Sequence, residues 1–185
     1  MQVDDRHRLR GARWTPSEHC EARPVWAQPE LVVIHCVSLP EGEYGTGAAQ
    51  RLFLGRLDVR EHPSFADLEG LKVAPHLFVA REGSVQQFVA FDKQAWHAGV
   101  STWCGREGCN AYSVGIELEG CIASRFTAEQ YDVLEQILHA LWRRYPGISR
   151  QAVVGHNEVA PDRKSDPGPH FDWRRVVAVT HHSLQ

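Results

Sequence analysis

Seven consecutive residues, Leu31–Val37 (LVVIHCV), constrain this chain more than any other stretch. The run is short, β-branched and almost wholly apolar, so it reads as a strand buried on both faces, in the middle of a sheet rather than at its edge. Its one interruption is His35. A buried imidazole must find a hydrogen-bond partner or a metal, because leaving it unsatisfied costs about 1–3 kcal/mol.

The elements around that strand alternate. LPEGEYGTG is loop by its Pro and Gly content, AAQRLFLG forms a short helix ended by Gly55, and HPSFADLEGL forms another with Pro63 in its first turn. VAPHLFVAREGSVQQFVAF predicts a hairpin, with Gly83 available for a positive φ. DKQAWHAGVSTWCGREGCNAY has no clean period and reads as a long functional loop. SVGIELEG alternates as a strand, with Val114, Ile116 and Leu118 on one face and Ser113, Gly115, Glu117 and Glu119 on the other. A helix starts at Thr127, capped with Gln130, and carries one apolar stripe from Tyr131 to Tyr145 until Pro146-Gly147 stops it. QAVVGH is a last short strand and FDWRRVVAV a closing helix, whereas the first twenty-odd residues show no period and are expected to wrap the surface. Strands interleaved with helices predict one α/β or α+β domain over residues 1–185, built on a single mixed sheet flanked by helices.

Composition excludes several function classes. The chain has 185 residues, 43% hydrophobic and 23% charged, enough for its own core and unlike a disordered chain. A net charge of −3 argues against a nucleic-acid binder. No apolar run approaches the roughly 20 residues of a membrane span, and the polar start MQVDDRHRLRGARW lacks the middle of an export signal. The expectation is therefore a cytoplasmic protein without membrane partners, and nothing demands more than a monomer. Five scattered cysteines fit free thiols better than a disulfide framework, and Cys104 with Cys109 is half a zinc knuckle without its second pair.

The candidate chemistry gathers at strand ends. His35 lies inside the first core strand, and His156 ends the last one. Asp166 follows His156 in the loop GHNEVAPDRKSDPGPHF, stiffened by prolines. Two imidazoles and a carboxylate are a common catalytic zinc set with one position left for water. Glu117 offers a base for that water, Gly115 leaves room on the same face, and Lys164 can aim its ammonium at a developing oxyanion. Each has a plainer reading alone: His35 as a satisfied core histidine, Asp166 as a turn residue, Glu117 and Glu119 as a solvated face, Lys164 as a surface cation. Trp96 offers a flat face to a sugar or peptide, or packs in the core.

Four segments, VVIHCVSLPEGEYG, APHLFVAREGSVQQFVAFDKQAWHAGVS, GREGCNAYSVGIELEG and GHNEVAPDRKSDPGPHFDW, together resemble the AmpD family, cytosolic N-acetylmuramyl-L-alanine amidases that act on 1,6-anhydro-muropeptides in cell-wall recycling. The likeness runs over about residues 14–178. It implies the mixed-sheet fold shared with peptidoglycan-recognition proteins and one zinc ion held by His35, His156 and Asp166. It further implies Glu117 as proton acceptor and Lys164 as stabiliser of the transition state in metal-assisted amide hydrolysis. Trp96, His97, Lys72 and Asn110 become candidate contacts for an anhydro-muropeptide substrate. Three departures stand out: Cys36 where many members carry Asn, Gly108 where Arg often precedes Cys-Asn, and Lys72 where Arg is frequent. Lysine keeps the charge but not the bidentate fork, and glycine removes the charge, so peptide recognition is expected to differ. The rival readings are a non-catalytic peptidoglycan-binding module on the same fold, an amidase acting on polymeric wall, and a structural zinc protein.

Overall fold

The computed structural model describes residues 1–176. Six strands form the central sheet: β1 (Arg13–Trp14), β2 (Leu31–Val37), β3 (Leu77–Val79), β4 (Val85–Gln87), β5 (Ser113–Glu119) and β6 (Val153–Gly155). Their spatial order is β6-β2-β5-β3-β4-β1, with β3 and β4 the antiparallel pair of an otherwise parallel sheet. The β2 strand thus lies inside the sheet, as its apolar run predicts, and Leu31 through Ile34 are fully buried. Between β3 and β4, Gly83 adopts a φ of 85° in the turn, as the hairpin requires.

The two faces of the sheet receive different partners. Val32, Ile34, Val114, Ile116 and Leu118 pack against Leu134, Ile137, Leu138 and Leu141 of the long helix Ala128–Arg144. Each such side chain contributes about 1.5–3 kcal/mol through burial. That helix begins with the expected capping box: Thr127 Oγ1 accepts from Gln130 N and Gln130 Oε1 from Thr127 N, both at 3.1 Å. The buried Gln130 amide also donates to the carbonyls of Val79 and Glu119, tying the helix start to the ends of β3 and β5. On the opposite face, Leu31 and Val33 meet Ala98, Cys109, Tyr112, Val154 and Val159. The loops that carry the chemistry lie over this second face.

The remaining elements are small. The expected short helices are Ala48–Phe53, followed by Gly55 at φ 65°, and a 3-10 helix over Pro63–Leu68. The N-terminal residues are less irregular than their sequence suggests: Gln2–Val3 pairs with Leu9–Arg10, β1 joins the sheet edge, and Cys20–Ala22 pairs with Lys93–Ala95. The long loop is likewise braced, by a Thr102–Trp103/Arg106–Glu107 ladder and a 3-10 turn at Cys109–Ala111. The closing helix begins at residues 173–176, and the rest of that expectation lies outside the described residues.

Candidate active site

Parallel pairing places Glu117 of β5 directly beside His35 of β2, near the carboxyl ends of their strands. From β6 the chain passes through Gly155 straight into His156, the first residue of a one-turn helix, His156–Val159. Gly155 has no room for a side chain: a Cβ there would lie 2.2 Å from Asn157 Oδ1 and 2.9 Å from Pro167 Cδ. The Pro-rich segment therefore folds back against β6, fixed by Asn157 N donating to the Asp166 carbonyl at 2.9 Å. The stiff loop places its two ends together, with His156 Nδ1 3.1 Å from Asp166 Oδ2.

His35 Nδ1 completes a triangle, 2.9 Å from His156 Nδ1 and 3.2 Å from Asp166 Oδ2. Tetrahedral zinc with bonds of about 2.0–2.1 Å separates its ligand atoms by about 3.3 Å, so the triangle has the right size. Proton bookkeeping supports a cation there as well. His156 Nε2 faces the Ala98 carbonyl at 3.2 Å, and a carbonyl only accepts, so the neutral ring carries its hydrogen on Nε2 and presents a bare lone pair at Nδ1. Burial opposes ionisation of Asp166, but the two imidazoles against its Oδ2 hold the carboxyl below its usual range, so this oxygen is ionised. Burial lowers His35 to about 4, so at neutral pH its ring is uncharged and available as a ligand. These three residues are the one group among the described residues whose donor atoms could together hold a metal ion. Cys104 is exposed and Cys109 is buried with Sγ against Tyr112 Oη, and neither belongs to such a cluster.

Glu117 is the uncommon group. Its Oε2 is buried and has no hydrogen-bond partner among the described residues. Burial, reinforced by Asp166, raises its carboxyl well above the ordinary value, and Lys164 opposes the rise. A carboxyl poised in this way suits proton transfer at neutral pH. Lys164 is exposed, and Glu117 and His35 both feel its charge. Glu119, on the same face, is different: its carboxylate accepts from Gly45 N at 2.6 Å and Arg81 N at 3.1 Å, bracing two loops. It is neither solvated nor aimed at the ligand triangle, a role that alternation alone does not reveal.

Two of the expected substrate contacts face inward. His97 has both ring nitrogens engaged, Nδ1 with His35 Nε2 at 2.9 Å and Nε2 with Ser113 Oγ at 3.1 Å. Asn110 spends its side-chain oxygen on the amides of His97 and Ala98. The space that Gly115 leaves on its strand is filled by the His97 ring, which a Cβ at 115 would meet at 2.4 Å. Trp96 stacks on His19 with planes 9° apart, donating its indole hydrogen to Glu21. His19 and the exposed Lys72 line one open cleft of about 540 Å³. Gly108 takes a φ of 70° ahead of the Cys109–Ala111 turn, a conformation that favours glycine.

A half-buried carboxyl with its buried Oε2 unpaired, beside a convergent His-His-Asp triangle on a mixed sheet, defines a candidate metal-assisted hydrolase. Comparison gives the particular group. The family model described as N-acetylmuramoyl-L-alanine amidase matches residues 25–169, and the chain belongs to that family. It is 47% identical to the 1,6-anhydro-N-acetylmuramyl-L-alanine amidase AmpD of Citrobacter freundii over 171 residues, 92% of this chain and 91% of that one. The Escherichia coli AmpD is 48% identical over 167 residues, covering 90% and 91%. A crystal structure of a selenomethionine AmpD derivative superposes with a TM-score of 0.93 at 46% identity, covering 97% of this chain and 99% of that one. More distantly, the E. coli amidase AmiD, solved with anhydro-N-acetylmuramic acid-L-Ala-D-γ-Glu-L-Lys, superposes with a TM-score of 0.59 at 29% identity, covering 85% and 60%.

Proposed function

We propose that this enzyme hydrolyses the amide between the lactyl group of 1,6-anhydro-N-acetylmuramic acid and L-alanine in muropeptides, with one zinc ion held by His35, His156 and Asp166. The observation that carries the reading is the triangle of bare donor atoms beside the unpartnered Glu117. The names of the relatives supply the substrate class. Zinc, when bound, polarises a carbonyl and lowers the pKa of water to about 7.

The chain's own groups do the rest. Glu117 takes a proton from the attacking water as its oxygen joins the lactyl carbonyl carbon. Lys164 counters the negative charge that develops on the carbonyl oxygen. As the carbon–nitrogen bond breaks, Glu117 returns the proton to the departing amine of L-alanine, and the products are the anhydro-sugar acid and the free peptide. Trp96 and Lys72 are the proposed substrate contacts, the indole for a flat apolar face and the ammonium for a peptide carboxylate. A cytoplasmic recycling role as a monomer belongs to the same reading, and among the described residues no helix is long and apolar enough to cross a membrane.

The test is release of peptide from a defined anhydro-muramyl peptide, with metal content measured on the same sample. Turnover with about one zinc per chain, lost in Glu117→Ala, is the expected result. Stoichiometric zinc without turnover would favour a binding module on the same fold.

A further inference from the structure

Behind the ligand triangle, the second nitrogen of His35 meets another imidazole rather than a carboxylate or a carbonyl. His35 and His97 lie edge to face, centroids 5.0 Å apart and planes at 83°. His35 Nε2 is 2.9 Å from His97 Nδ1, and His97 Nε2 is 3.1 Å from Ser113 Oγ. His97 is fixed from several sides: its ring lies over Gly115, and its backbone amide donates to Asn110 Oδ1. Ser113, Gly115 and Glu117 are alternate residues of β5, so one strand supplies the serine, the space and the proposed base.

Two hydrogen-bond directions are open to this row. In the first, His35 carries its hydrogen on Nε2 and donates to His97 Nδ1, while His97 donates from Nε2 to Ser113 Oγ. His35 Nδ1 is then a lone pair facing His156 and Asp166. In the second, His97 donates from Nδ1, and the neutral His35 ring carries its hydrogen on Nδ1, inside the triangle, where it excludes a metal. Only the first direction is compatible with a loaded site.

We propose that His97 serves the metal rather than the substrate: it is a positioning residue that accepts the His35 Nε2–H and, oriented by Ser113, keeps the His35 Nδ1 lone pair turned to the ion. This rests on the metal reading given above. Outer partners of metal-bound imidazoles orient the ring and raise its basicity, and losing one typically costs about 10–100-fold in metal affinity. His156 uses the Ala98 carbonyl for the same purpose, so the two ligands are supported by different chemistry.

The experiment measures zinc affinity of the full chain by competition with a chromophoric chelator, for the parent, His97→Phe, His97→Asn and Ser113→Ala, with folding followed by far-UV circular dichroism. Phenylalanine fills the space without an acceptor, whereas asparagine offers an oxygen close to the Nδ1 position. His97→Phe should bind zinc about 10–100-fold more weakly. His97→Asn should recover most of that loss, and Ser113→Ala should fall between the two. A 15N imidazole spectrum of the zinc-loaded parent should show His97 protonated at Nε2, and it decides the matter even where a variant fails to fold. Parent-like zinc affinity in folded His97→Phe, equal losses in the Phe and Asn variants, or a His97 hydrogen on Nδ1 would each overturn the proposal. A parent chain that binds no zinc overturns the metal reading, and this one with it.

Discussion

Gly115→Ala is the most informative single-methyl perturbation available in this fold. Gly115 has no positive φ, so alanine meets no backbone penalty there. Its Cβ, however, would lie 2.4 Å from His97 Cγ, 2.5 Å from Nδ1 and 2.6 Å from Cδ2, where ordinary contact begins near 3.4 Å. The strand cannot yield, because β5 is hydrogen-bonded to β2 on one side and β3 on the other. The ring must therefore retreat by about 1 Å, an overpacking that costs about 1–3 kcal/mol. For a domain of this size a loss of about 2 kcal/mol lowers Tm by about 6 °C. The same retreat breaks the contacts of His97 with His35 and Ser113, so zinc affinity falls along with stability. Thermal denaturation of the metal-free chain and chelator competition measure the two effects separately. In a His97→Ala background the methyl finds open space, and Gly115→Ala should then cost little. An unchanged Tm in the single variant, or an equal cost in both backgrounds, would refute the steric reasoning.

Three further outcomes are expected. Lys164→Ala should lower kcat by about 10²–10³ while zinc stays near stoichiometric, since the exposed ammonium is not a ligand; metal analysis beside single-turnover rates checks this. In the metal-free chain, Glu117 has its pKa raised from an ordinary value of 4.5. The unfolded chain therefore releases this proton first, so the stabilising contribution is complete below about pH 4.5 and is lost as pH rises towards the folded-state value. Glu117→Gln should flatten that slope in urea titrations across pH and should also abolish turnover. Chelation should end activity without loss of secondary structure, because the core on the long-helix face contains none of the three ligands; unfolding on chelation would instead mark a structural metal.

How legible each part was follows from the range of the forces involved. Leu31–Val37, Ser113–Glu119 and the Thr127-capped helix are specified by local periodicity and capping chemistry, and each appears where the pattern places it. Spacing alone left plainer readings open for His35, His156 and Asp166, and the expectation that they act together came from the family resemblance. That their donor atoms converge is a product of tertiary folding, since His35 lies far from the other two along the chain. The two-residue strands near the N-terminus were not readable. Their pairing partners include Gln86 and Lys93, far along the chain, and short runs such as Arg13–Trp14 carry no period of their own. The inward turn of His97 was hidden for the same reason, its partners being His35 and Ser113. The one available signal was a glycine in the middle of a core strand, which marks close approach of something. Glu119 misleads by symmetry: it shares a strand face with Glu117, and only the loops at Gly45 and Arg81 distinguish them.

One oxygen in the long loop carries more than its sequence position suggests. The Ala98 carbonyl receives the His156 Nε2–H and also the Arg163 guanidinium, at 2.7 Å, and Arg163 reaches on to the Val100 carbonyl. A carbonyl has two lone pairs, so this one joins the long loop, the proposed metal ligand His156 and the segment bearing Lys164 in a single joint. Thermodynamic linkage then applies in both directions. With zinc held by His156 as proposed, any molecule that draws the loop into a different position would change the hold on the ion, and the ion would change the affinity for that molecule by the same factor. The position of the loop and the occupancy of the site would, with zinc held as proposed, be one equilibrium rather than two.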